Sequence, residues 1–516
     1  KLKRCPHPFS PARHAGVDPK MVCLIMSRAA CLIALLVRVQ GQVRVMAPQA
    51  LVQEFAKSRG LIEGSTATFG APFYGDRVLG RLVYGDSSLG QKHCSDEDYS
   101  VPKDQTSLSS TSAGKEVRLI NIILVRRGGC SFTKKVKVAS AKGAHAVIIV
   151  DKEDSVLTSK DMHNIIVADD GTGENIEIPS VLISKDDGGP LIQAAKRYEV
   201  IVELAWNLPT NHTVQTDLWM SSASRESFKF LKEFAPKRRI LNKVMAFTPH
   251  YAVFGMDQVD VTTASSLCSD ATGKYCAEDP DGPGPITGRD VLAEDVRQLC
   301  IHDLYKKIVY ADSVMDSAAA KIQEATRGIY EAMAKRPLVE YAAQFWAYME
   351  KFPEACPLES FGLECSERLM LEVGIDAAKI EACAKSSGQE KLAHERKNPA
   401  WSPRALRING WRYSGVMDAD LVTRAICSGF VEQPQECKDL VKPRDPFTPF
   451  SATVKKVDGV SFGALIGWLI GAVLLVSAAL LLYKRSLKKE IGATLREEVM
   501  LEVQAQIGEY SRLQGK

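Results

Sequence analysis

The run VRLINIILVRRGGCSFTKKVKVASAK, Val117 to Lys142, carries a strand, a break and a helix. Residues 117–126 are β-branched and nearly all apolar, as a buried strand requires. Gly128-Gly129 interrupts them. Residues 131–142 then show helical spacing, with Phe132, Val136, Ala139 and Lys142 along the run. Outward from it, AVIIV at 146–150 and residues 178–183 read as further buried strands. A Gly-Gly-Pro start leads into a helix at 191–197, and residues 199–206 close with a strand. The alternation predicts a compact α/β or α+β domain over 43–206.

Residues 207–440 hold most of the cysteines and read as a second region. A strand is predicted at 213–220 and an amphipathic helix at 226–234. Helices follow at 290–305 and at 313–352, the latter broken at Pro337. WSPRALRINGWRYSG, 401–415, reads as strand, Asn409-Gly410 turn, strand, since Asn-Gly between apolar runs is a strong hairpin signal. Asp418 starts a helix that carries Cys427.

Both ends carry apolar segments. Residues 1–41 are read as an upstream segment followed by a signal peptide over about 21–41, with Met21 as the start. Arg28 precedes the apolar core 29–37, small or polar residues follow it, and Arg38 cuts it short of a span. VSFGALIGWLIGAVLLVSAALLLY, 460–483, is uncharged and at 1.5 Å per residue reaches about 36 Å, enough for a transmembrane helix. Residues 441–459 form the linker before it. Lys484, Arg485, Lys488 and Lys489 follow the span, which places 484–516 in the cytosol and the preceding chain in the lumen.

The 516 residues carry 66 Lys plus Arg against 62 Asp plus Glu, so the net charge of +4 offers no electrostatic case for nucleic acid. Of the 13 cysteines, ten lie between Cys94 and Cys437 and none in the tail, as structural disulfides in an oxidising lumen require. There is no CxxC, so neither a redox pair nor a ribbon-type zinc site is indicated. Asn211-His212-Thr213 is an N-glycosylation acceptor.

ILVRRGGCSF, followed by Lys135, Ala139, Gly143, Ala144 and AVIIV, resembles the protease-associated domain, and FGAPFYG and RVLGRLVYG upstream agree. TPHY at 248–251, the C-x7-C of Cys268 and Cys276, DVLAEDVRQLC, VGID at 373–376 and INGWRYSG ending in ICSGF resemble the lumenal region of plant-type vacuolar sorting receptors. That resemblance implies a thioredoxin-like second region, with Pro403 ahead of its hairpin. The chain departs from the plant pattern in having no EGF-like repeats before the span, SSASRESF without cysteines after the strand at 213–220, and an expanded stretch at 313–352. The implied fold class is a multidomain α+β ectodomain with one transmembrane helix.

The resemblance assigns cargo peptide binding to Arg127, Gly128, Gly129, Cys130, Ser131 and Phe132, and a disulfide to Cys94 and Cys130. The residues give a parallel physical case: the loop ends a strand and opens a helix, so its amides face a positive terminus, and Arg127 adds a forked donor for a carboxylate. Tyr510-Ser511-Arg512-Leu513 fits Tyr-x-x-Φ, the signal clathrin adaptors read from an extended segment. Ile491, Leu495, Val499, Val503 and Ile507 recur every four residues as a stripe for membrane lipid or a partner helix, and Gly463, Gly467 and Gly471 make GxxxG steps suited to a homodimer. His93 and His145 are candidate pH sensors for cargo release. GVSFG at 459–463 matches GxSxG outside a strand–helix setting and is read as chance, so neither an enzyme, a cofactor nor a metal is expected. The expected role is a type I receptor carrying soluble vacuolar or lysosomal cargo from the Golgi to a prevacuolar or endosomal compartment. The alternative is a thioredoxin-like membrane-anchored folding factor without redox cysteines.

Overall fold

The computed structural model describes residues 42–87, 92–101, 108–110, 116–256, 266–282, 284–309, 339–448, 450 and 462–513. The signal segment at 21–41, most of the linker and most of the predicted helix at 313–352 lie outside the described residues. Two compact units divide between Phe450 and Ser451.

In the first unit an eight-stranded sheet runs in the order Leu61–Ile62, Val43–Ala47, Ile201–Ala205, Arg77–Tyr84, Ile120–Arg126, Ala146–Val150, Ser180–Ile183, Gly64–Thr66. The four strands from Arg77–Tyr84 to Ser180–Ile183 are mutually parallel. Ile122, Leu124, Ile148 and Val150 face one apolar cluster, and Ile123, Val125, Val147 and Ile149 face another. Burial on both faces is why these strands read as unbroken apolar runs. The predicted strand at 117–126 is two elements: Glu116–Arg118 pairs with Leu108–Ser110 as a ribbon, and Ile120–Arg126 enters the sheet.

The helix expected at 191–197 is longer, Lys185–Ala195, and takes the Gly-Gly-Pro inside it. Ser184 caps it through the Asp187 amide, and a strong cap one turn upstream overrides the later glycines. Gly188 is there for packing: a Cβ would lie 2.3 Å from Cγ1 of Val150.

A second, four-stranded sheet runs Met245–Tyr251, Val214–Met220, Ala405–Ile408, Trp411–Arg412. The first pair is parallel and the others antiparallel. Asn409 and Gly410, at φ +50° and +78°, make the tight turn between the last two strands. Arg225–Ile240, Ala343–Ala355 and Gly288–Tyr305 bury Phe228, Phe234, Phe345, Trp346, Val291 and Ile301. Val339–Tyr341 is a strand pairing with Lys307–Val309, not helix, and the helices Leu363–Glu372 and Ala377–Lys397 were not anticipated. Ala377–Lys397 buries only four of its 21 residues, so its apolar stripe is faint in sequence.

One apolar core spans both regions, from Val43 to Cys437. At their junction Tyr74 stacks on Tyr413, donates to the Ser414 carbonyl at 3.1 Å and accepts from the Ser414 amide at 2.9 Å. Arg412 donates to the carbonyls of His163 and Ile165, and Arg444 to those of Ala71 and Pro72. The FGAPFYG run therefore serves this junction. Five disulfides tie the unit: Cys94–Cys130, Cys268–Cys276, Cys300–Cys383, Cys356–Cys365 and Cys427–Cys437.

The second unit contains the helix Phe462–Leu513. Among the described residues no helix is long and apolar enough to cross a membrane. Val473, Leu474, Leu475 and Val476, and Leu480 to Tyr483, are exposed on this helix.

Candidate functional site

Strand Ile120–Arg126 delivers Arg127, whose amide still donates to the Val150 carbonyl at 2.8 Å. The chain then turns away through Gly128 and Gly129, at φ +111° and +82°, a path L side chains resist. Gly129 is exposed, while Cys130, Ser131 and Phe132 are half-buried. Ser131 caps helix Phe132–Ala141, accepting from the Lys134 amide at 3.3 Å. All six sequence-predicted residues thus share one loop, pinned by Cys94–Cys130.

Its electrostatics differ from expectation in two respects. Arg127 does not stand ready as a bare donor: its Nη1 meets Oδ1 of buried Asp151 at 3.0 Å, and its guanidinium lies 5.2 Å from the Phe132 ring centre. Burial raises the Asp151 pKa, but bonds from the Ser155 hydroxyl, the Lys152 amide and Arg127 outweigh it and hold the carboxyl below its ordinary value. The Ser131 cap also has an acidic neighbour. Asp170 receives the hydroxyls of Ser131, Thr172 and Thr133, which hold its carboxyl well below the usual carboxylate range. An acidic group therefore already stands next to the Ser131 cap, and Gly129 is the exposed residue of the turn. Asp151, at a strand end, and Asp170, in the DDG turn, carry no sequence motif that links them to this loop.

Behind the loop, His93 is buried, presenting Nε2 to the Gly85 carbonyl at 2.8 Å and accepting the Arg126 amide on Nδ1 at 3.2 Å. Burial lowers its pKa. His145 accepts the Asn121 amide on Nδ1 at 3.2 Å and packs edge-on against Phe447. Asn211 is exposed beside Phe430. Tyr510 to Leu513 form the last turn of the long helix rather than an extended segment, and the side chains of Tyr510 and Leu513 lie outside the described residues.

The scattered histidines hide a convergence: among the described residues, His250, His394 and Glu395 bring ligand atoms within 4.8 Å of one another. These atoms are wired internally. Glu395 Oε2 accepts His250 Nδ1 at 3.0 Å and the Tyr251 amide at 2.9 Å, and His394 Nε2 meets Asn398. His250 also stacks on Trp219 at 4.5 Å. Ser221 to Ser224 fill the bend before helix Arg225–Ile240, and Ser222 donates its amide to buried Asp295 at 3.0 Å.

Comparison with known proteins matches two family descriptions: the PA domain over residues 78–191 and the vacuolar sorting receptor thioredoxin-like domain over 206–427. Vacuolar-sorting receptor 7 of Arabidopsis thaliana is 27% identical over 73% of this chain and 58% of its own length. Vacuolar-sorting receptor 1 of Pisum sativum is 28% identical over the same shares. The chain thus spans 58% of the length of these curated relatives. Among solved structures, an aminopeptidase from Aneurinibacillus sp. strain AM-1 aligns at 20% identity, covering 32% of this chain and 30% of that one with a TM-score of 0.20. The paired domain matches and the shared length of sequence make the chain similar to the vacuolar sorting receptors across both of its folded regions.

Proposed function

We propose that this chain is a sorting receptor whose lumenal region captures soluble cargo proteins by a short peptide laid on the loop Arg127 to Phe132. The observation that carries it is the Gly128-Gly129 turn, with Gly129 exposed, disulfide-pinned at the end of a buried strand. Such a loop offers backbone groups to an extended peptide at little ordering cost, because it is already fixed. Phe132 and the Arg127 guanidinium over it supply an apolar and a charged neighbour. No catalytic step is part of this reading.

The remainder of the proposal concerns placement. Residues 460–483 form the single span on the strength of their uncharged apolar sequence. Residues 484–516 face the cytosol, and Tyr510 with Leu513 engages a clathrin adaptor after the last helical turn unwinds. Carriage runs from the Golgi to a prevacuolar or endosomal compartment. The Ile491 to Ile507 stripe lies on lipid, Gly463 to Gly471 pair two spans, and Asn211 carries a glycan. Release follows acidification: protonating Nδ1 of His93 ejects the Arg126 amide next to the loop.

Peptide arrays probed at pH 7 with the full chain test the loop. Gly129→Trp should abolish retention, whereas Gly129→Asn, which tolerates a left-handed φ, should fold and retain peptide. Equal retention by wild type and Gly129→Trp ends the proposal.

A further inference from the structure

The five disulfides differ in what surrounds each sulfur. Cys268, Cys276, Cys300, Cys427 and Cys437 are buried to within 2% of full exclusion. Cys356 and Cys365 are buried at 3% each, although Arg368 Nη2 lies 3.7 Å from Cys365 Sγ. Cys383 is half-exposed, and its sulfur meets the Ser387 hydroxyl at 3.5 Å. Among the described residues, only Cys94–Cys130 joins a half-buried cysteine to one whose sulfur has a cation contact other than that of Arg368 on Cys365. Cys130 follows the exposed Gly129, while Cys94 is buried with Lys135 Nζ 3.5 Å from its Sγ. Lys135 is itself fully buried and also donates to the Lys92 carbonyl.

That asymmetry gives exchange a direction. An incoming thiolate attacks at the less buried residue, Cys130, and the other sulfur must carry away the negative charge. A buried thiolate without a partner is costly, but one against an ammonium is stabilised and leaves faster. Burial pushes the Lys135 amine down to about 8, so it still bears its proton at pH 7.

We propose that Cys130 is a thiol-exchange site, at which a small-molecule thiolate forms a mixed disulfide and Cys94 departs as a thiolate held by Lys135. The new S–S bond forms between the incoming sulfur and Cys130 Sγ as the Cys94–Cys130 bond breaks. The electron pair goes to Cys94 Sγ, so the charge passes from the attacking sulfur to Cys94 and no outside oxidant is needed. The product untethers the loop Arg127 to Phe132 from the 92–101 segment, and the inference holds whatever that loop binds.

The test treats the full chain in detergent with graded reduced glutathione at pH 7, quenches with N-ethylmaleimide and maps the peptides by mass. Glutathione should appear on Cys130 and maleimide on Cys94, at thiol concentrations that leave the other four disulfides intact. Lys135→Met should slow the step about tenfold, and Lys135→Arg should keep it within about twofold. Should Lys135→Met fail to fold, the wild-type rate per glutathione thiolate decides: it should fall as pH rises through about 8 and Lys135 discharges. Glutathione on Cys94, earlier opening of another bridge, or a thiolate-normalised rate flat across that range overturns the proposal.

Discussion

At the residue scale the chemistry lies in pairs that sequence spacing does not connect. Arg127 was legible as a loop arginine, but its partner Asp151 was not, because only the folded sheet brings the two strand ends together. Arg127→Ala therefore removes two things, a rim cation and the partner of a buried carboxylate. We expect a loss of about 1–3 kcal/mol, the exposed half of the pair discounted, checked by denaturant unfolding alongside Asp151→Asn. In the second region Asp295 is raised to about 8, chiefly by burial. Its folded form keeps the proton while the unfolded form ionises, so the stability present below about pH 4 is lost as pH rises toward 8. Asp295→Asn keeps the oxygen that accepts from Ser222 and should exceed wild type by about 2–4 kcal/mol at pH 7, with the gap closing near pH 4. A gap independent of pH contradicts this. His93 has the opposite shift. Its neutral ring supports the loop above about pH 6.5 and fails as pH falls through its lowered value. Peptide retention should drop as pH falls below about 6.5, and His93→Gln should flatten that dependence.

At the element scale, strands and caps were the readable features. AVIIV at 146–150 and the Asn409-Gly410 hairpin appear where the sequence puts them, because unbroken apolar runs and left-handed turn residues are local signals. The start of helix Lys185–Ala195 was placed too late, since Gly-Gly-Pro was read as the lead-in to the helix when Gly188 is a close-approach position within it, against Val150. Gly188→Ala should destabilise by about 1–3 kcal/mol through overpacking, although alanine favours helices, and thermal unfolding reads the sign directly. Strand Val339–Tyr341 was read as helix because its pairing with Lys307–Val309 is fixed by contact, not by its three residues.

At the scale of the whole molecule, the regions 43–206 and 207–440 were legible as separate blocks, but their joint core was not. Tyr74 looked like part of a domain motif and proves to be a junction residue, bonded to both backbone groups of Ser414. Tyr74→Phe leaves those groups unpaired and should cost about 1–3 kcal/mol without altering the first region's sheet. Hydrogen exchange should show the loss spread across 413–416. Orientation is checked by trimming sealed vesicles with protease: the tail should be removed while the Asn211 side stays protected. The receptor reading stands most directly on where peptide lands. Cross-linking a retained peptide to the full chain at pH 7, followed by mass mapping, should place adducts within 126–132. Adducts concentrated elsewhere, for instance around Trp219 and His250, would contradict the account.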